Sequence, residues 1–570
     1  MTVLQTQASR HNRQYGINPY NPSEGPPPHW AVGSGIADVP ATFGDLWCAG
    51  FAFSVTVWFG MMLLPRQVCA LSDSMEKAEM SKRTRRQFLE DSMFAAAATV
   101  AAGSANELMA EEEAQSSSPN ERLRVAVVGV RGRGGSHIGA FAGRKDTEVV
   151  YLCDPDREIG ARRAQEVGKR QGGRAPQFVE DMRTAFDDPS VDIVSIATPN
   201  HWHALSAIWA MQSGKDVYVE KPVSHNVSEG RRMVQIARKH GNICQTGTQC
   251  RSNPGMIAAM DFVQSGKIGK VSVARGLCYK PRGSIGPRGA TASTPSYNPP
   301  ESVNYDLWLG PAPQAPLTRS RFHYDWHWQW PYGNGDLGNQ GIHQMDLARW
   351  GLGVDHLSHS VMSYGGRFGY VDAGDTANTQ VIVHDYGEQA LVFEVRGLKT
   401  SGFKNARVGV IFEGSEGYLV MNSYDRGAAF DLDGEKIEEF SGGGNHFNNF
   451  LAAVRSRKHD DLNADIEEGH VSSALCHLGN ISYRLGETVD FDKALPRLEQ
   501  LSSSENVAAT LERTLGHLRD NGIDLKKTQL QLGSHLPFDP SSETFQDNER
   551  ADQMLTRVYR EPFVVPSEVV

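Results

Sequence analysis

Between Val125 and Gly135 the chain reads VAVVGVRGRGG, a short apolar run that breaks into glycines where a strand would hand over to a helix. So short and uniformly apolar a run belongs inside a sheet covered on both faces, where no side has to meet water. The pattern returns at Glu148–Cys153 (EVVYLC), Val191–Ala197 (VDIVSIA), Asp216–Val219 (DVYV) and Asn242–Gln245 (NICQ), with helical stretches between. Strands alternating with helices at this spacing predict βαβ units and a parallel sheet over residues 122–246. From about Gly269 the rhythm changes. Thr379–Val383 (TQVIV), Ala390–Val395 (ALVFEV) and Val408–Phe412 (VGVIF) follow one another without helices. They predict a second α/β domain, residues 247–500, with a large, mostly antiparallel open sheet. Residues 501–570 read as a polar tail, helical in part.

The first glycine turn decides what the parallel sheet is for. A dinucleotide fingerprint needs one glycine for the tight turn, one where backbone meets pyrophosphate, and one for helix packing. Gly129 and Gly134 take the outer places; Arg131 stands at the third position, with Gly132 one residue on. Alone, the motif is matched equally well by a plain glycine-rich turn. Asp154 strengthens it, at the end of the second strand and about twenty residues later, where a carboxylate accepts from the adenosine ribose hydroxyls. Its charge opposes a 2′-phosphate, so NAD is favoured over NADP; the rival role is a cap in the turn Asp154-Pro155-Asp156. The fold expected is a Rossmann domain. Thr198, Pro199, Asn200 and His203 (TPNHWH) follow the next main strand, and Glu220 and Lys221 (EKP) the one after. All are candidate cofactor contacts, because doubly wound sheets hold ligands at the carboxyl ends of their strands.

Two segments of the second domain carry candidate substrate chemistry. Asn339, His343, Asp346 and Trp350 fall at spacings of four, three and four, which puts them on one helix face. Gly335, Gly338 and Gly341 would let that backbone approach a cofactor. Arg321–Tyr332 (RFHYDWHWQWPY) is dense in rings, and aromatic faces stack on sugar C–H faces, with Trp328 the candidate. The same rings would also suit a packed interface. A metal site from His323 and His327 is disfavoured, and the cysteines show no zinc-like spacing.

Together, the glycine turn, ATPNHWH, EKP and GNGDLGNQGIHQMDLARW resemble the glucose–fructose oxidoreductase / inositol dehydrogenase (Gfo/Idh/MocA) family, over about residues 122–495. The resemblance implies hydride transfer between a nicotinamide cofactor and a carbinol carbon of a sugar or polyol, and homo-dimers or tetramers built through the large sheet. It carries the family's lysine onto Lys221 and its histidine onto His343. Many members have an aspartate four residues before that histidine; this chain has Asn339, an amide that orients a hydroxyl but takes no proton. On this reading His343 is the general acid/base, Lys221 binds the reacting oxygen, and Asn339 and Asp346 orient substrate and histidine. Two other functions fit the same motifs: a glycosidase using NAD in a transient oxidation and elimination, and a non-catalytic exported sugar-binding protein.

The N-terminal region is separate from this fold. Ser81–Glu90 reads SKRTRRQFLE, followed by the soft apolar run Met93–Ala102 and small residues, a pattern resembling a twin-arginine export signal over residues 81–110. A periplasmic or otherwise exported protein, partnered by the twin-arginine machinery, is expected. An Ala-rich amphipathic helix is the alternative. Residues 1–80 are either a misplaced start, with Met75 or Met80 the true one, or a real extension holding the apolar run Leu46–Leu64. Residues 111–121 form a linker. The formal net charge of −10 gives no general attraction to nucleic-acid phosphates.

Overall fold

The computed structural model describes residues 122–499 and 504–568. The twin-arginine segment, the run Leu46–Leu64 and the linker lie outside the described residues.

Six strands make the first sheet: β1 Leu123–Val128, β2 Thr147–Cys153, β3 Gln177–Val179, β4 Ile193–Ile196, β5 Asp216–Val219 and β6 Cys244–Thr246. They lie in the order β3-β2-β1-β4-β5-β6, all parallel. The chain reverses its direction of winding between β1 and β4, which opens the crevice where such sheets bind ligands. Alternation within β1 explains the uniform apolarity. Val125 and Val127 face the helices Arg133–Phe141 and Arg157–Arg170, whereas Ala126 and Val128 face Asn200–Gln212 and Val227–His240. Both faces are dry, so neither position tolerates a polar side chain.

The second sheet contains β7 Val271–Cys278, β8 Ser360–Gly366, β9 Thr379–Asp385, β10 Ala390–Arg396, β11 Val408–Gly414, β12 Gly417–Met421, β13 Arg426–Asp431 and β14 Lys436–Ser441. Every neighbouring pair is antiparallel except β7 with β10. One face packs against the helices Pro254–Gln264, Ile342–Leu352 and Ile466–Leu485. These helices carry the sheet up to the carboxyl edge of the first domain.

Residues 504–568 are not a mere polar tail. The helix Val507–Asp520 lays Leu511 and Leu518 on the other face of the large sheet, and the strand Leu530–Leu532 pairs with β8. The chain then returns to the first domain, where Phe563 and Val565 join the core around Trp202. Leu511, Leu515 and Leu518 stand at helical spacing, but the contacts beyond that helix, Phe563 and Val565 among them, are isolated apolar residues that leave no periodic signal. The described cysteines, Cys153, Cys244, Cys250, Cys278 and Cys476, are buried free thiols.

Candidate active site

A cavity of about 590 Å³ runs along the carboxyl ends of β1, β2, β4 and β5 and continues under the helix Ile342–Leu352. Its nucleotide end is built by the glycine turn. Gly129 has φ +80°, and a Cβ there would lie 2.7 Å from the Ala197 carbonyl oxygen. A Cβ on Gly134 would lie 1.9 Å from the Gly129 oxygen, so the helix Arg133–Phe141 crosses its own strand as closely as backbone allows. Gly132, with φ +47°, opens on empty space. It heads a helix with no side-chain cap and no acid in its first turn, which leaves its N-terminus free for an anion.

Asp154 accepts from the main-chain N–H of Val130 at 2.9 Å and of Asp156 at 3.0 Å. It therefore holds both turns while lining the cavity. Burial raises its pKa to about 6, against those two hydrogen bonds. Asp156 caps the helix Arg157–Arg170 and pairs with Arg131 and His323, each at 3.3 Å. Thr198, Pro199 and Asn200 line the cavity at the start of Asn200–Gln212, and Thr198 Oγ1 is buried with no partner among the described residues. His203 also lines it, but its two ring nitrogens reach the carbonyls of Thr198 (2.8 Å) and Pro222 (2.6 Å). It ties the two strand-end turns together.

Glu220 is likewise engaged from within the protein. Its Oε1 accepts from Arg133 at 2.6 Å and meets His137 at 3.1 Å. Burial would push this carboxyl up, but His137 and Arg133 hold it well below the usual range. Glu220 thus locks the glycine-turn helix to the end of β5 and positions the residue that follows. That residue, Lys221, donates from Nζ to the Asn339 main-chain oxygen at 2.6 Å. Burial lowers its pKa, with Glu220 opposing. The bond joins the first domain's strand end to the turn carrying Asn339 and His343, so the three residues meet at one end of the cavity.

The structure separates residues that helical spacing had grouped. Leu337–Gly341 is a π turn, and the helix Ile342–Leu352 after it is buried on nearly every side. His343 and Asp346 share that helix, where residues three apart diverge by about 60°. Asp346 consequently points away from the cavity. It takes Arg251 in a two-pronged pair at 2.9–3.0 Å and accepts from Ser472 at 2.7 Å, so it anchors the helix. Trp350 lies under the Arg251 guanidinium, 5.1 Å from its ring centre. The glycines of this turn are filled by the protein itself. A Cβ on Gly338 would lie 2.4 Å from Asn334 Cβ, and one on Gly341 3.0 Å from the Phe393 ring.

The aromatic segment divides. Trp328 packs inward against Ile285 and Ala373 beneath Arg282 and does not line the cavity. Its neighbours His323, Tyr324, Trp326 and His327 do. A 3₁₀ turn over Asp325–Trp328 explains the split, because successive side chains diverge by about 120°. The spacing within RFHYDWHW held that signal once the turn type was known. Arg133 and His137 had no local signal at all.

Family comparison agrees with this architecture. Residues 123–248 match the model of an oxidoreductase family with an NAD-binding Rossmann fold, and residues 271–515 match its C-terminal α/β domain. The chain belongs to the Gfo/Idh/MocA oxidoreductase family. Levoglucosan dehydrogenase of Pseudarthrobacter phenanthrenivorans is 24% identical over 325 residues, 54% of this chain and 75% of that one. A glycosyl hydrolase family 109 protein of a Shewanella strain is 27% identical over 154 residues, 26% of this chain and only 34% of its own length. The solved structure of a levoglucosan dehydrogenase with NADH and levoglucosan covers 63% of this chain and 95% of that one, at TM-score 0.48 and 19% identity. The cofactor of this oxidoreductase is NAD, and the residues fit it: an open Gly132 at a free helix end, Asp154 lining the cavity at the end of β2, and the Thr198 hydroxyl with no partner among the described residues.

Proposed function

We propose that this oxidoreductase oxidises a carbinol carbon of a sugar or sugar-like polyol, with NAD preferred to NADP. The observation that carries the reading is the meeting of Lys221, Asn339 and His343 in the cavity that also holds the glycine turn and Asp154. When bound, NAD supplies the hydride acceptor. Lys221 gives one N–H to Asn339 and keeps two for the reacting oxygen, where its charge stabilises developing negative charge. Asn339 orients a hydroxyl through its amide. His343, held neutral by burial with Lys221 adding to the effect, presents an imidazole to the same space. Tyr324, exposed at the cavity lining, offers a ring face to the sugar's C–H face. The levoglucosan dehydrogenase relative supports a sugar substrate, whereas the glycosidase relative matches only 26% of this chain and 34% of its own length.

The same reading makes the protein a homo-oligomer built through the large sheet and exports it by the twin-arginine segment, folded around its NAD. The deciding experiment is a screen of sugars and polyols on the full chain, following NADH. Substrate-dependent NADH formation is expected. Phenol release from an aryl glycoside without net NADH would replace this reading with the glycosidase one. Mass spectrometry of the native exported protein should find NAD bound, and light scattering a dimer or tetramer.

A further inference from the structure

Asn339 lines the cavity, and the next residue, Gln340, lines a second cleft of about 910 Å³. This cleft is built from the end of β7, the start of β11 and the turn joining β12 to β13. Two contacts tie it to the substrate end of the cavity. Lys280 donates from Nζ to Gln340 Oε1 at 3.1 Å and Lys221 to the Asn339 main-chain oxygen, so consecutive residues each receive an ammonium group. Gln340 in turn donates from Nε2 to the Tyr424 hydroxyl at 2.6 Å, and the Tyr424 ring centre lies 5.1 Å from that of His343. Tyr424 lines the cleft and His343 the cavity, so one ring-to-ring contact separates the two spaces.

The charge of the cleft is one-sided. Lys280, Arg407 and Arg426 line it against a single carboxylate, Asp425. Asp425 accepts from Ser423 at 2.8 Å and from Arg426 at 3.3 Å, which uses it together with one of the cations. Lys280 and Arg407 are exposed and have no carboxylate partner among the described residues, where the Arg407 side chain makes no hydrogen bond either. The chain as a whole carries −10, so this local surplus runs against its composition. The cavity side shares the bias. Lys221 gives its bond to a neutral carbonyl, Glu220 is taken by Arg133 and His137, and Asn339 offers an amide rather than a carboxylate. Burial lowers the pKa of both Lys221 and His343, and the Lys280 charge lowers each further, so the cleft's cation is felt at the reacting centre. The oxidised nicotinamide adds one more positive charge. A negatively charged substrate is drawn in by all of these, and a cationic one is turned away.

We propose that the cleft is a substrate subsite in which Lys280 and Arg407 hold a carboxylate or sulfate ester at the end of the sugar remote from the reacting carbon. The substrate is thus an acidic sugar. This rests on the dehydrogenase reading and narrows its substrate class. Arg407 supplies a planar fork of donors that fits a carboxylate or sulfate edge, and Lys280 a compact charge beside it. The Gln340 amide and Tyr424 hydroxyl stand between the cleft and the cavity, where a sugar hydroxyl can bond to them. Neither cation is placed at the reacting oxygen, so the subsite strengthens binding and leaves the chemical step alone.

The test runs the full chain with NAD on neutral sugars beside their uronate and sulfate-ester counterparts, and the two acidic arms tell which anion is held. The acidic member of a pair should have a kcat/KM about tenfold higher or more. Arg407→Gln should raise its KM about tenfold with kcat little changed, and shift the neutral sugar's KM by less than about twofold. Lys280→Gln should act in the same direction, and about 0.5 M salt should remove most of the preference in the unsubstituted protein. Neutral sugars oxidised as well as acidic ones, or a preference that survives both substitutions, would overturn the subsite. Saturation-transfer NMR on the NAD-loaded protein needs no turnover. Glucuronate and glucose sulfate should show a signal that glucose lacks and that Arg407→Gln abolishes. That signal without NADH from any sugar would keep the cleft and sink the dehydrogenase reading, whereas NADH from neutral sugars alone would do the reverse.

Discussion

Two glycine-rich turns flank the cavity, and they carry glycine for different reasons. In residues 129–134, Gly129 and Gly134 let a strand and its helix touch, while Gly132 faces open space. In residues 335–341 no glycine does. Thr376, Asn334 and the Phe393 ring already occupy the space that a Cβ on Gly335, Gly338 and Gly341 would take. The first turn keeps room for a ligand; the second keeps room for the protein. Counting glycines cannot tell them apart, whereas the strand before the first one can.

The largest expected effect tests the second turn's supports. Asp346→Ala breaks the buried pair with Arg251 and should lower stability by roughly 3–5 kcal/mol in a denaturant titration. Turnover of the folded fraction should change only a few-fold; a loss matching Lys221→Ala would return Asp346 to the chemistry. Gly134→Ala comes next, at about 3 kcal/mol, because a main-chain carbonyl cannot step aside. NAD affinity should fall with it, whereas Gly338→Ala should lower the Tm and leave NAD affinity intact. Lys221→Ala should reduce kcat by about a hundredfold, or about 2.7 kcal/mol, with NAD binding by calorimetry nearly unchanged.

Gly132→Ala sharpens the contrast further. It meets no protein atom, so its expected signature is an NAD affinity about tenfold weaker with little loss of stability beyond backbone strain of about 1 kcal/mol. The smallest effect is a pH dependence. Asp154 titrates near 6 in the folded protein, above the unfolded carboxylate value of about 3.9. The folded state therefore binds the extra proton, and Asp154's contribution to stability declines as pH rises from about 4 to 6. NAD affinity should move the other way, weakening several-fold as pH falls through 6 and the carboxylate is lost. Asp154→Asn should flatten both curves.

Much of this was legible in the sequence, for an identifiable reason. The parallel strands were readable because both faces are buried, and the cavity lies where such strands must end. Lys221, Asn339 and His343 were singled out because each sits in a short motif at a strand end or helix start, and the structure gathers all three on one cavity. The failures share a cause too. Asp346 and Trp328 were placed by α-helical spacing and aromatic content; Asp346 stands about 60° around its helix from His343, and the 3₁₀ turn at Asp325–Trp328 turned Trp328 inward. Glu220 was read as a ligand contact because its partners, Arg133 and His137, lie more than eighty residues away. Beyond the helix Val507–Asp520, the segment after residue 503 docks through single side chains such as Phe563 and Val565, which no window average detects.

That segment also gives the first domain a long-range dependence. Phe563 closes over Trp202, with ring centres 5.5 Å apart, and Arg560 donates to the Gly310 carbonyl. The residues that seal the first domain's apolar surface thus lie more than three hundred residues along the chain from the sheet they cover. The nucleotide-binding sheet cannot bury its own outer face from residues 122–246 alone. Cutting the chain before Arg560 would keep every group that lines the cavity and still leave Trp202 and Trp209 facing water.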